Sequence, residues 1–162
     1  MRIVGVDPGT HRIGFALLDG SGRDPELMSA ETITFPTGGD ATERRRNLAD
    51  AFAGRLAVTR ADGVAVEKLF FAKNTKTALA VAEARGIILL TAERHVRSIW
   101  EYTPLEVKLA VTGYGRADKE QVRRMIHLAF PHVTLPTGDD AIDAIAIALT
   151  AYYRERTRWT PG

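Results

Sequence analysis

The sequence RIVGVDPGT, residues 2–10, determines the first strand of this chain and its first candidate functional residue. Its apolar run, residues 3–6, is typical of a buried β-strand, and Pro8-Gly9 predicts a turn directly after it. Asp7 therefore lies at the tip of a strand, where a half-buried carboxylate is costly to desolvate. A glycine there lets a phosphate or metal approach the backbone. The simple alternative, a turn capped by Asp7, is equally compatible with this motif.

Three further acids occupy comparable positions. Glu67 ends a second apolar run, residues 63–66, and Asp140 and Asp143 begin an apolar helical stretch. These two aspartates are three residues apart and share one helix face. Asp139 is four residues from Asp143 and also lies on that face, so it is the alternative ligand. Because aspartate suits a helix N-cap, we expect Asp139 to be the cap and Asp140 the ligand. Four converging acids repel each other unless a divalent cation lies between them, and oxygen ligands suit Mg²⁺ or Mn²⁺.

The pattern of apolar residues and turns predicts an α/β fold. Turn signals between the first three strands indicate an antiparallel meander, and strands then alternate with helices. This order predicts a mixed sheet with helices on its faces. The predicted strands are residues 2–7, 12–19, 27–35, 63–67 and 96–100, and the predicted helices are residues 42–59, 75–93, 104–111, 118–129 and 140–153.

Composition restricts the class of protein. A chain of 162 residues with 45% hydrophobic content suits one domain, which we place at residues 1–153, followed by a short flexible basic tail at 154–162. The absence of cysteine excludes disulfides and zinc–thiolate sites. No apolar run has transmembrane length and no signal peptide is evident, so we expect a cytoplasmic protein.

The net charge is only +2, but its distribution is informative. An acidic pocket in a basic surround is expected of a metal-dependent enzyme that acts on a polyanion. Solvated helix faces are the alternative interpretation. The basic residues outside the acidic positions include Arg44, Arg45, Arg46, Lys73, Lys76, Lys108, Arg116, Lys119, Arg123 and Arg124.

Two adjacent aromatic residues, Phe70 and Phe71, follow Glu67 in a segment flanked by lysines. Such a pair can stack on or wedge between nucleic-acid bases, or it can close the core beneath the following helix. For Phe71 the core is favoured, and for Phe70 both roles remain open. The four histidines share no metal-ligand spacing, so we assign them no role in a site.

Several segments of the chain occur in an order and spacing that one family shares. They are GVDPG at 5–9, Glu67 with FFAKN at 70–74, EARG at 83–86, VK at 107–108 with GYGRADK at 113–119, Gln121, Val122 and Met125, and DAIDA at 140–144. In these segments, and over about residues 2–152, the chain resembles the RuvC family of Holliday-junction resolvases. That resemblance implies endonuclease activity on four-way DNA junctions and a ribonuclease H-like fold with a five-stranded mixed sheet of order 3-2-1-4-5.

The resemblance also implies roles for individual residues. Asp7, Glu67, Asp140 and Asp143 match the family's metal-binding acids, which would hold two Mg²⁺ ions, with Mn²⁺ as a substitute. Lys108 and Lys119 match basic residues that handle the phosphate, and Phe70 matches the base-contacting aromatic. The helix from about Thr75 is similar to one that forms a homodimer, and a RuvA–RuvB branch-migration complex is the expected partner. Further DNA contacts are expected from Lys73, Lys76, Lys108, Arg116 and Lys119.

Two departures from the family pattern are the Ala82-Glu83 pair before Ala84-Arg85-Gly86 and the cation Lys68 beside Glu67. Two rival functions also fit parts of the sequence. One is a YqgF-type ribonuclease H-like nuclease acting on RNA, which Asp7, Gly9 and the Arg-Ile-Gly motif at 12–14 would fit. The other is a non-catalytic junction-binding protein, which the retention of all four acids disfavours.

Overall fold

A computed structural model describes residues 1–36, 38–68 and 75–156, without the side chains of 75–77. Its strands are β1 (Arg2–Asp7), β2 (Arg12–Asp19), β3 (Glu26–Thr34), β4 (Gly63–Glu67) and β5 (Ser98–Tyr102). They form one five-stranded sheet in the order β3-β2-β1-β4-β5. The helices are α1 (Ala41–Thr59), α2 (Thr75–Glu93), α3 (Pro104–Thr112), α4 (Lys119–Ala129) and α5 (Asp139–Glu155).

The strand directions confirm the predicted mixed sheet. β1 pairs antiparallel with β2 and parallel with β4, while β5 continues parallel beside β4. In the parallel pair Val6 lies opposite Val66. The residues that follow them, Asp7 and Glu67, therefore project from the same end of the sheet.

The sheet separates two hydrophobic cores. On one face α5, with α3 and α4, covers a core that includes Ile3, Ala16 and Ala65. On the other face α1 and α2 cover Val4, Phe15 and their neighbours. The central strand is buried on both faces, which explains why its sequence is continuously apolar rather than alternating.

Two glycines allow α5 to lie directly on the central strands. A Cβ atom at Gly5 would overlap the carbonyl oxygen of Ala144, and one at Gly14 would overlap that of Asp140. Glycine inside a strand commonly marks such close approach of another backbone. Gly14 lies opposite Asp7 in the register, so its missing side chain brings the start of α5 next to the tip of β1.

The element boundaries differ from prediction at β3 and β5 and, by one or two residues, at one or both ends of α1, α3, α4 and α5. α5 ends at Glu155, two residues later than predicted. β5 begins two residues later than predicted, because the backbone N–H of Val96 donates to Ala92 and continues the end of α2. β3 lies one residue earlier than predicted. At α5 the N-cap is Gly138, which makes no side-chain capping bond, so the prediction of Asp139 as the cap is wrong. Within the described ranges, no helix combines the length and apolarity needed to span a bilayer.

Candidate active site

Four carboxylates meet at the end of the sheet where β1 and β4 terminate. Asp7 and Glu67 end these strands, and Asp140 and Asp143 lie in the first turns of α5, all partly buried. The pKa of Asp7 is raised to about 8, first by burial and then by the negative charges of Glu67, Asp143 and Asp140. The other three acids therefore lie close enough to Asp7 for their charges to raise its pKa.

The pKa values of two other acids in the cluster, Glu67 and Asp143, are also raised. Burial raises the pKa of Glu67, Asp143 raises it further, and the Lys108 ammonium opposes both effects. Burial likewise raises the pKa of Asp143, with Lys119 as the main opposing charge. Carboxylates that resist ionisation in this way become stable anions only when positive charge is brought among them.

Two lysines approach the acids from α3 and α4. Lys108 and Lys119 line a cavity of about 160 Å³ together with Glu67 and Asp143. Apolar side chains of α3, α4 and α5 form the rest of its wall. The cavity thus combines carboxylates, which would suit a divalent cation, with ammonium groups, which would suit a phosphate.

Local capping explains how the segment GYGRADK, residues 113–119, positions Lys119. Gly113 ends α3 in the left-handed conformation at φ 76°, which glycine adopts without strain. Asp118 then caps α4: its side chain accepts from the Gln121 backbone N–H, and the Gln121 side chain accepts from the Asp118 backbone N–H. Lys119 is consequently the first residue of α4, at the edge of the cavity.

Asp139 pairs with cations instead of capping α5. Lys119 Nζ donates to Asp139 Oδ2 at 2.9 Å, and Arg123 Nη2 lies 3.7 Å from Asp139 Oδ1. Arg123 also donates to the carbonyls of Pro136 and Thr137. Asp139 therefore holds Lys119 beside the four acids, a role that spacing along one helix could not reveal.

Arg12, to which sequence analysis assigned no role in the site, forms an ion pair with one of the four acids. Its Nε lies 2.5 Å from Asp140 Oδ2. Both residues line a second cavity, of about 470 Å³, together with Asp7 and the turn Pro8–His11. A Cβ atom at Gly9 would overlap the Arg12 carbonyl oxygen. Gly9 is thus required for closure of the turn that brings Arg12 back beside Asp7.

Arg85 connects α2 to the end of β4. Its Nε donates to the backbone carbonyl of Glu67 at 3.0 Å, and its guanidinium also pairs with Glu101 of β5. Both contacts hold the backbone from which the Glu67 carboxylate projects. The only signal in the sequence was the EARG segment, to which we assigned no individual role.

The two departures from the family pattern are accommodated locally. Glu83 accepts a hydrogen bond from Arg45 Nη1 at 2.8 Å and so connects α2 to α1. Lys68 is exposed, and its backbone N–H donates to the Tyr102 carbonyl at the end of β5. Neither residue displaces any of the four acids.

Several predicted contacts fall outside the part of the chain that the structure describes. Phe70, Phe71 and Lys73 belong to the undescribed segment 69–74, and the side chain of Lys76 is also undescribed. Arg116 is exposed just before α4. Two histidines make local contacts, His11 with Thr10 and His95 with the Thr91 carbonyl.

The donor chemistry of the cluster suits a hard divalent cation, since Asp7, Glu67, Asp140 and Asp143 offer only carboxylate oxygens. As the described side chains stand, however, no group of three or more potential ligands surrounds one common point. Asp140 is turned to Arg12. Ion binding would therefore require side-chain rotation within the cluster.

The sheet order and this carboxylate site define a class of protein, a nuclease of the ribonuclease H-like fold. A family model described as crossover junction endodeoxyribonuclease RuvC matches residues 3–151, and the chain belongs to the RuvC family. The match favours this family over the RNA-directed rival.

Named relatives support the assignment along the whole chain. The RuvC protein of Moorella thermoacetica is 43% identical, with 100% of this chain and 99% of the relative covered. That of Halothermothrix orenii is 40% identical, with 98% of each covered. Among solved structures, T. thermophilus RuvC in complex with Holliday junction substrate has a TM-score of 0.87 at 30% identity, and the match covers 97% of this chain and 96% of that one.

Proposed function

We propose that this protein is a crossover junction endodeoxyribonuclease that hydrolyses phosphodiester bonds in four-way DNA junctions during recombination and repair. One observation carries the proposal beyond family membership. Four partly buried carboxylates lie at adjoining strand and helix ends, and the pKa values of Asp7, Glu67 and Asp143 are raised by burial and by neighbouring negative charges. Such a cluster is unfavourable for stability alone and is understandable as a cation-binding site.

Asp7, Glu67, Asp140 and Asp143 would hold the catalytic cations, which we propose to be two Mg²⁺ ions replaceable by Mn²⁺. When bound, the ions would supply an activated water and charge stabilisation for the leaving oxygen. The ammonium groups of Lys108 and Lys119 face the same cavity and would stabilise the negative charge that develops on the phosphate. Asp139 holds Lys119 in that position through its hydrogen bond.

We further propose that the active form is a homodimer built on α2. Leu79 and Leu90 expose 76% and 52% of their surface, and Ala82 and Gly86 are exposed between them at helical spacing. A Cβ atom at Gly86 would meet nothing within 4 Å, so a second backbone could approach there. Two sites related by a two-fold axis would match the symmetry of a junction and nick two opposed strands.

The remaining parts of the proposal concern partners and location. Phe70 would contact bases near the junction centre, and Lys73, Lys76 and Arg116 would contact phosphates. A RuvA–RuvB branch-migration complex would present the junction to this nuclease. The protein would act in the cytoplasm, where bacterial chromosomal DNA is found.

A single assay separates this proposal from its rivals. The purified chain is incubated with a labelled four-way junction, a linear duplex of the same sequence and a structured RNA, each with Mg²⁺ or with EDTA. We expect paired, Mg²⁺-dependent nicks in the junction alone. Cleavage of RNA would favour the YqgF-type alternative, and junction binding without cleavage under any metal condition would favour a non-catalytic protein.

A further inference from the structure

The two aspartates at the start of α5 each have their own cation. Asp139 pairs with Lys119, and Asp140 pairs with Arg12. Among the described residues, no lysine or arginine forms an ion pair with Asp7, Glu67 or Asp143. Asp140 is thus distinguished within the four-acid cluster, because a guanidinium already contacts one of the oxygens that a metal ion would need.

The fold holds Arg12 in position for this contact. Arg12 is the first residue of β2, and its backbone closes the Pro8-Gly9 turn that follows Asp7. Its side chain is 63% exposed, whereas that of Asp140 is 25% exposed. The guanidinium can therefore leave Asp140 for the open cavity of about 470 Å³ without disrupting the core.

We propose that Arg12 competes with a divalent cation for Asp140 and thereby sets the affinity of the site for metal. This inference rests on the proposed function, since it presumes that Asp140 is a metal ligand. Occupancy by the guanidinium and by a metal ion are alternatives, because both require the same carboxylate oxygen. Once displaced, Arg12 faces the cavity that also contains Asp7, where its charge is available to a substrate phosphate.

The test measures Mn²⁺ binding to the full-length protein by calorimetry, without DNA. Arg12→Gln removes the competing charge and should tighten Mn²⁺ binding by about two- to fivefold, the range expected for loss of a half-exposed ion pair. Arg12→Lys keeps a positive charge but lacks the planar guanidinium, and its affinity for Mn²⁺ should lie between those of the wild type and Arg12→Gln. The effect of Arg12→Gln should shrink between about 0.05 M and about 0.5 M salt, because screening weakens an exposed pair.

Arg55→Gln is the matched control. Arg55 Nη2 pairs with Glu31 at 2.6 Å between α1 and β3, with a comparable side-chain exposure of 49%. Its loss should leave Mn²⁺ affinity unchanged. Thermal melting of each variant establishes that the fold is intact.

The outcomes distinguish this inference from the proposed function. Unchanged or weaker Mn²⁺ binding in both Arg12→Gln and Arg12→Lys, with wild-type binding still abolished by Asp7→Asn, would overturn the role of Arg12 alone. Wild-type protein that binds no Mn²⁺, or binding that Asp7→Asn leaves intact, would overturn the metal site and this inference with it.

Discussion

The two ends of the β1–β2 strand pair place aspartates in opposite electrostatic environments. At one end Asp19 of β2 lies opposite Arg2 of β1, accepts from the Ser21 backbone and contacts the Arg2 guanidinium. Hydrogen bonds from Ser21, with a contribution from Arg2, lower the pKa of Asp19 to about 2. At the other end Asp7 lies opposite Gly14 among other acids, and its pKa is raised to about 8.

The difference separates a structural carboxylate from a functional one. Both residues are aspartates at strand ends, and they differ in what the register places next to them. Asp19 accepts hydrogen bonds from Ser21 and lies beside the Arg2 guanidinium, so its negative charge stabilises the fold. Asp7 is largely buried beside other acids, so its negative charge opposes folding unless a cation is bound there. This contrast predicts opposite consequences for removal of the two charges.

The largest expected effect is that of Asp7→Asn on catalysis. Single-turnover junction cleavage should fall by more than about 100-fold, or ~2.7 kcal/mol of barrier, because a metal ligand is lost. Gel-shift affinity for the junction should remain within about threefold, since the phosphate contacts lie elsewhere. In EDTA the melting temperature should rise by a few degrees as repulsion is relieved. Cleavage retained within tenfold would contradict the assignment of Asp7 as a ligand.

Gly14→Ala should affect both cleavage and stability. The new methyl group overlaps the Asp140 carbonyl, so α5 must shift away from β1 and β2. We expect a loss of about 1–3 kcal/mol in the free energy of unfolding, measured in urea. Cleavage should fall at least about tenfold, because Asp140 and Asp143 move relative to Asp7.

Gly54→Ala is the control for this substitution. Gly54 lies inside α1, and a Cβ atom there meets nothing within 4 Å. Alanine at that position should stabilise the protein by up to about 1 kcal/mol and leave cleavage unchanged. Equal behaviour of the two alanine variants would refute the packing role of Gly14.

Lys119→Ala should slow single-turnover cleavage at saturating enzyme by about tenfold, because an ammonium beside the acids is removed. The salt dependence of junction binding should also weaken by about one charge. Asp139→Ala, which removes the hydrogen-bond partner but keeps the ammonium, is the comparison. An unchanged rate with weaker binding in Lys119→Ala would make this lysine a binding contact only.

The smallest expected effect is that of Asp19→Asn. At pH 7 it should reduce the free energy of unfolding by about 1 kcal/mol, through lost hydrogen bonds and a half-exposed ion pair. Because the folded-state pKa lies below the ordinary value of 3.8, this stabilisation is present above about pH 4 and is lost as the pH falls toward 2. Melting curves of both proteins from pH 7 to pH 2 should therefore converge, and junction cleavage at pH 7 should be unaffected.

The sequence was sufficient for the elements and for the acids at their ends. Period-two and continuous apolar runs are local signals, and they placed Asp7 and Glu67 at strand tips, where the structure also has them. The predicted bounds of β5 were wrong because the Val96 backbone N–H donates a hydrogen bond to the Ala92 carbonyl and extends the turn at the end of α2. Capping of α5 was assigned to the wrong residue because Lys119, which is 20 residues away in the chain, pairs with Asp139.

The sequence by itself therefore determined the α/β class, the strands that present Asp7 and Glu67, and the helix that presents Asp140 and Asp143. Only the tertiary structure decided the partners of individual charges: Arg12 on Asp140, Asp139 on Lys119, and Arg85 on the Glu67 backbone. The physical reason is the range of the interactions. Hydrophobic periodicity and turn chemistry act between near neighbours in the chain, whereas an ion pair depends on register and on helix-to-sheet packing, which bring distant segments together.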